Sequence, residues 1–135
     1  MDCIFCMIAN GQIPSASIYE DDDFNVILDL GPATKGHALI LPKKHYADLF
    51  EMPEEYAMKA IALAKKLLPA FKKGLNFDGI QLVQNNGTAA GQTVFHYHLH
   101  LIPAFAGEGP GARWTPGKLS DEDKEQIVHA SKEAI

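Results

Sequence analysis

Apolar and polar positions change period several times along this chain, and each change marks an element. Cys3 to Ala9 is apolar on one side over one or two turns, a short helix punctuated by Asn10-Gly11 and Pro14-Ser15. Ser17 to Glu20 reads as a short strand, and Asp21-Asp22-Asp23 as a turn. Phe24 to Leu30 reads as a second strand ended by Gly31-Pro32. Gly36 opens a third, His37 to Leu41, which Pro42 closes. Pro53 suits the first turn of a long helix. Ala57, Ile61, Ala64, Leu67, Leu68 and Phe71 give that helix an apolar stripe at three-to-four spacing. Gly74 is its expected C-cap, and Pro69 should kink it or end it early. Gly79 to Asn86 and Tyr97 to Phe105 read as strands four and five, separated by the small-residue loop Gly87 to Gln92. Ser120 and Asp123 form a capping box for a last helix, about Asp121 to Ala134.

This order predicts an α+β domain: an antiparallel sheet of about five strands, one long central helix, a short N-terminal helix and a C-terminal helix. A length of 135 residues suits one domain. Its core is expected at about residues 3–105, with an extended tail and the last helix in 106–135. Four glycines and two prolines between Gly107 and Gly117 make that tail extended or mobile.

Charge narrows the partners. The net charge is −5, which argues against a nucleic-acid polymer, usually met by a basic stripe. A mononucleotide needs only a few local donors. No apolar run reaches the ~20 residues of a membrane helix, so no membrane partner is expected. Asp2 stands where a signal peptide would carry basic residues, so the expected location is the cytoplasm.

Chemistry concentrates in three of the six histidines: His96, His98 and His100. In a strand, alternate side chains share a face. Three imidazoles then project side by side, while Tyr97, Leu99 and Leu101 face the core. Buried imidazoles need hydrogen-bond partners, so such a row is costly unless it is used. One use is a zinc hydrolase with all three as ligands and a zinc-activated water. Another is nucleophilic catalysis. Cys3-x-x-Cys6 is open in the same way: a disulfide, a redox pair, half of a thiolate zinc site, or two buried thiols. A redox motif usually follows a strand, and none precedes Cys3.

The run His96-Tyr97-His98-Leu99-His100-Leu101-Ile102 resembles the His-φ-His-φ-His-φ-φ signature of the histidine-triad family, where φ is apolar. Ile4-Phe5, Ile13-Pro14, Asp29-Leu30, Gly36 to His45, Asn85-Asn86-Gly87 and Gly91 to Val94 are similar to the family too. The resemblance spans about residues 3 to 103. It implies a nucleotidyl hydrolase in which His98 attacks the α-phosphorus of a purine nucleotide and water releases the nucleotidyl-histidine. A neutral imidazole is a good nucleophile, and a covalent intermediate splits one hard step into two. His100 and His37 become further active-site imidazoles, with His100 and Thr93 at the phosphate or leaving group. Asn85, Gln92, Thr93 and Val94 become phosphate or ribose contacts, and Asp29 accepts from ribose hydroxyls. Phe5, Ile8, Ile13, Ile27 and Leu30 become an apolar slot for the purine.

The resemblance also implies a structural zinc on Cys3, Cys6, His45 and His96, no organic cofactor, and a homodimer. The implied branch is the nucleoside phosphoramidase. Alternatives are a dinucleoside polyphosphate hydrolase and a non-catalytic nucleotide-binding module. A nucleotidyl transferase fits less well, because His100 stands where that branch carries glutamine. The tail from Gly107 is a candidate to shape the leaving-group side of the site, from a neighbouring subunit.

Overall fold

A computed structural model describes residues 3–135. Helix α1 (Ile4–Ala9) starts at Cys3, whose Sγ accepts the Cys6 N–H. At its end the Asn10 amide donates to the carbonyls of Cys6 and Lys43, at 2.9 and 3.0 Å, tying the helix to the end of the third strand. Strands β1 (Ser17–Glu20), β2 (Phe24–Leu28) and β3 (Ala38–Pro42) precede the long helix α2 (Glu54–Leu75). Then come β4 (Gly79–Val83), a short 3-10 turn at Thr88–Ala90, β5 (Leu99–Ala104) and α3 (Asp121–Ala134). The sheet order is β1-β2-β3-β5-β4, antiparallel throughout. The α+β architecture is the one the hydrophobic pattern predicts.

Alternation along the strands sorts the core into two faces. Phe24, Val26, Ala38, Ile40, Leu99 and Leu101 pack with Tyr56, Ala60, Leu63 and Ala64 of α2. On the other face, Ile27, Leu39 and Leu41 pack with Ala9, Phe5 and Ile8 of α1. The small helix leaves much of that second face for chemistry.

Several boundaries differ from the sequence reading. The buried stripe of α2 runs through Tyr56, Ala60, Leu63 and Ala64, which leaves Ile61 54% exposed. Pro69 does not end the helix. Its ring lies on an exposed stretch of the helix, where the carbonyl left without an N–H partner is open to solvent. Gly74 lies inside α2, and Asn76 takes the left-handed cap at φ 55°, donating its N–H to the Lys72 carbonyl. Asparagine tolerates that conformation better than other side chains. Strand β4 stops at Val83, opposite His100. Beyond it Gln84 and Asn86 turn to each other, with amide bonds of 2.9 and 2.6 Å. Helix α3 begins at Asp121 with Ser120 accepting the Asp123 N–H, and no residue of it is buried. Among the described residues, no helix is long and apolar enough to cross a membrane.

Candidate active site

The histidine run lies where β5 begins, not wholly within it. Only His100 is inside the strand; His96 and His98 lie on the extended segment leading in. Pairing between β3 and β5 stops at Ile40 and Leu99. Pro42 has no N–H to extend a ladder. Tyr97, Leu99 and Leu101 are buried in the cluster under α2, as the alternation requires.

His96 is fully buried and turns away from its neighbours' task. Its Nε2–H donates to the Pro42 carbonyl at 2.8 Å. The unprotonated Nδ1 therefore faces the thiols, 3.4 Å from Cys3 Sγ and 3.3 Å from Cys6 Sγ. His45 Nδ1 lies 3.3 Å from Cys6 Sγ. The four donor atoms all lie within 4.8 Å of one another. Those spacings fit a tetrahedron with Zn–S of about 2.3 Å and Zn–N of about 2.0 Å. Burial pushes His96 down to about 4, keeping it in the neutral form a ligand needs. Burial and the adjacent Cys3 push the Cys6 thiol up to about 11, a cost that a bound cation reverses. The carbonyl on the far ring nitrogen is the outer support that orients histidine ligands.

His98 is held differently. Its Nδ1–H donates to the His96 carbonyl at 2.7 Å, which leaves the lone pair on Nε2. Phe5 stands edge-on to the ring at 5.0 Å, and the His100 ring lies 4.9 Å away. His100 belongs to a chain of its own. The Ala33 N–H donates to His37 Nδ1 at 2.9 Å, so the His37 proton sits on Nε2. That Nε2–H donates to His100 Nδ1 at 2.8 Å, leaving His100 with an Nε2–H of its own. Asp29 Oδ2 lies 3.7 Å from His37 Nε2, while Oδ1 accepts the Gly31 N–H at 2.8 Å. Burial, helped by His98 and His37, pushes His100 down to about 4. Burial also lowers His37, against the pull of Asp29. Burial thus favours the neutral forms of His37 and His100, with alternating donor and acceptor nitrogens.

This geometry overturns the three-ligand zinc hydrolase. Among the described residues, the groups whose donor atoms converge are Cys3, Cys6, His45 and His96, and separately Asp29, His37 and His100. The triad does not share one point.

Phe5, which stands against His98, also lines a cavity of about 210 Å³ with Ile8, Ile27, Asp29 and Leu30 and with residues the sequence reading missed: Pro14, Ser15, Ala16, Leu28 and Leu39. Pro14 carried a signal through Ile13-Pro14, and Leu39 through the run Gly36 to His45; the others carried none beyond being small or apolar. Ile13 is half-buried outside that lining. Asn85, Gln92, Thr93 and Val94 also stand outside it, on the loop entering His96. Gln92 is buried and spends its amide locally: it donates to the carbonyls of Ala47 (2.6 Å) and Val94 (3.1 Å) and accepts the Gly87 N–H (2.8 Å). It braces the loop. The Pro42 carbonyl and the Ala33 N–H, which set two tautomers, are backbone groups with no sequence signature.

Comparison with known proteins gives the family. A HIT domain model matches residues 10–107. A HIT-like protein of Methanocaldococcus jannaschii is 42% identical over 130 residues, covering 96% of this chain and 98% of its own. An adenosine 5′-monophosphoramidase of Saccharomyces cerevisiae is 44% identical over 127 residues, covering 94% and 78%. The crystal structure of a Zn-bound histidine triad family protein from Mycobacterium smegmatis superposes with a TM-score of 0.78 at 37% identity, covering 100% of this chain and 99% of that one. The signature, the fold and the relatives converge: this chain belongs to the histidine-triad (HIT) family.

Proposed function

We propose that this protein is a nucleotidyl hydrolase that cleaves the α-phosphorus bond of a purine nucleoside phosphoramidate through a covalent intermediate on His98. The observation that carries the reading is the His98 ring. Its Nδ1–H is spent on the His96 carbonyl, which leaves Nε2 free to attack, and Phe5, edge-on to this ring, also lines an apolar cavity that includes the Asp29 carboxylate. The name of the yeast relative, a monophosphoramidase, supports the reaction class.

In this reading the purine enters the cavity against Phe5, Ile8, Ile27 and Leu30, with Ile13 behind them. Asp29 Oδ2 accepts from the ribose hydroxyls. Nε2 of His98 bonds to phosphorus as the bond to the leaving amine breaks; the leaving nitrogen takes one proton from solvent, and the water that later attacks phosphorus returns one. Water then attacks phosphorus and the Nε2–P bond breaks. Substrate and water become a nucleoside monophosphate and an amine. The His100 Nε2–H, with Thr93, serves the phosphoryl oxygens or the leaving group. Asn85 and the Val94 backbone serve the phosphate, on a loop that Gln92 holds in shape. A tautomer fixed before substrate arrives needs no reorganisation during reaction.

Cys3, Cys6, His45 and His96 would hold a structural zinc. Bound there, it would play a structural part, tying α1, which carries Phe5 and Ile8, to the segment that carries His98. The reading includes a homodimer, for which exposed Met58 and Ile61 on α2 and Leu82 on edge strand β4 supply apolar surface.

The test is release of AMP from adenosine 5′-phosphoramidate by the wild type and by His98→Ala. Turnover that vanishes in a folded His98→Ala supports the reading. Wild-type turnover confined to dinucleoside polyphosphates moves the substrate class and keeps the mechanism. Nucleotide binding without turnover of either sinks it in favour of a binding module.

A further inference from the structure

The tail beyond the histidine run returns to the histidine face of the sheet. Gln81 of β4 pairs with Ile102 of β5 and shares that face. Its amide clasps the tail backbone twice, donating to the Ala112 carbonyl at 2.9 Å and accepting the Ala112 N–H at 3.0 Å. The clasp seats Gly111 against three methyl-bearing side chains. A Cβ built at Gly111 would lie 2.8 Å from Ile102 Cγ2, 3.0 Å from Thr34 Cγ2 and 3.2 Å from Ala33 Cβ. A side chain there must push Ile102 aside and crowd Ala33 and Thr34 by a few tenths of an ångström.

That turn is the one that fixes His37. Ala33 supplies the N–H on His37 Nδ1, Thr34 supplies the carbonyl that accepts the His37 N–H, and the Thr34 hydroxyl donates to the Pro103 carbonyl at 2.6 Å. We propose that the Gly111–Ala112 segment, clasped by Gln81, is a strap that presses the Ala33–Thr34 turn into place and so positions the Ala33 N–H on His37. Gly111 and Gln81 are positioning residues. They act through His37 on the proton arrangement of His100, from within the same chain. Loosening the strap moves the Ala33 N–H off His37 Nδ1, and both neutral forms of His37 become populated. The His37 proton then no longer points reliably at His100. The kinetic consequence rests on the function proposed above; the effect on the His37 ring does not.

The experiment compares the full-length wild type with Gly111→Ala and Gln81→Leu, using Gly117→Ala as a control in the same tail, where a new Cβ meets nothing within 4 Å. Long-range 15N–1H spectra of histidine-labelled protein at pH 8 report the tautomer of each neutral ring. The expected result is a pure Nε2–H form of His37 in the wild type and Gly117→Ala, and mixed forms in the two strap variants. With adenosine 5′-phosphoramidate, kcat falls about tenfold in both while KM stays within about twofold. An unchanged His37 tautomer in both folded strap variants overturns the proposal, whatever the rates do. A change in KM alone also counts against it, because a strap acting through His37 has no reason to weaken binding. If the wild type turns over no phosphoramidate, the spectra still decide whether the strap sets the ring.

Discussion

Replacing His100 by glutamine isolates one proton's contribution to the pH dependence of stability. Burial, then His98 and His37, push this imidazole from 6.5 down to about 4. A base whose folded pKa lies below its unfolded value takes up its proton first in the unfolded chain, so acid favours unfolding. The contribution is complete above about pH 6.5 and is lost as pH falls towards 4. Each pKa unit is about 1.4 kcal/mol. Going from pH 8 to pH 5 therefore withdraws about 2 kcal/mol at full strength. Solvent reaches part of the ring, and screening reduces this to about 1 kcal/mol. Glutamine does not titrate, and its Oε1 can still accept the His37 Nε2–H. His37 is lowered chiefly by burial, which the substitution leaves in place. The assay is urea unfolding of both proteins at pH 8 and pH 5 in equal zinc. The wild type should lose about 1 kcal/mol more than His100→Gln between the two values. Equal losses would refute the claim that the site keeps His100 neutral, and with it the neutral Nε2–H donor assigned to it.

Three further outcomes follow from the geometry. Cys6→Ser should weaken zinc binding beyond about a hundredfold, since even outer partners of a metal ligand are worth about 10–100-fold; metal content after dialysis checks it, and one retained zinc per chain would show the four-ligand set to be wrong. Ile40→Ala, at a fully buried position between β2 and β5, should cost about 2–5 kcal/mol, seen as a lower urea midpoint at unchanged slope. Gly36 holds φ +89° immediately before His37, with the Leu75 Cδ1 methyl 2.4 Å from where a Cβ would stand. That methyl can turn away, so Gly36→Ala should cost about 1–2 kcal/mol from backbone strain; an unchanged melting temperature would contradict this.

The sequence by itself determined the kinds of element, their order and their faces. Apolar period is a local property, and it separates Tyr97, Leu99 and Leu101 from His98 and His100 with no knowledge of the fold. The donor set Cys3, Cys6, His45 and His96 was legible only through family likeness, because those residues are far apart in the chain. Local pattern also misjudged α2: Ile61 belongs to the apolar stripe by spacing, yet the sheet covers the flank through Tyr56, Ala60 and Leu63. What only the tertiary structure decided is the division of labour among the histidines. Neighbouring side chains do not choose a ring's tautomer; its hydrogen-bond partner does, and that partner can lie far along the chain. His96 meets the Pro42 carbonyl across 54 residues, and His37 meets His100 across 63. The composition of the run His96 to His100 supplies three similar imidazoles. Packing gives each ring a different partner: His96 turns Nδ1 to the Cys3 and Cys6 thiols, His98 keeps Nε2 free, and His100 accepts on Nδ1 from His37.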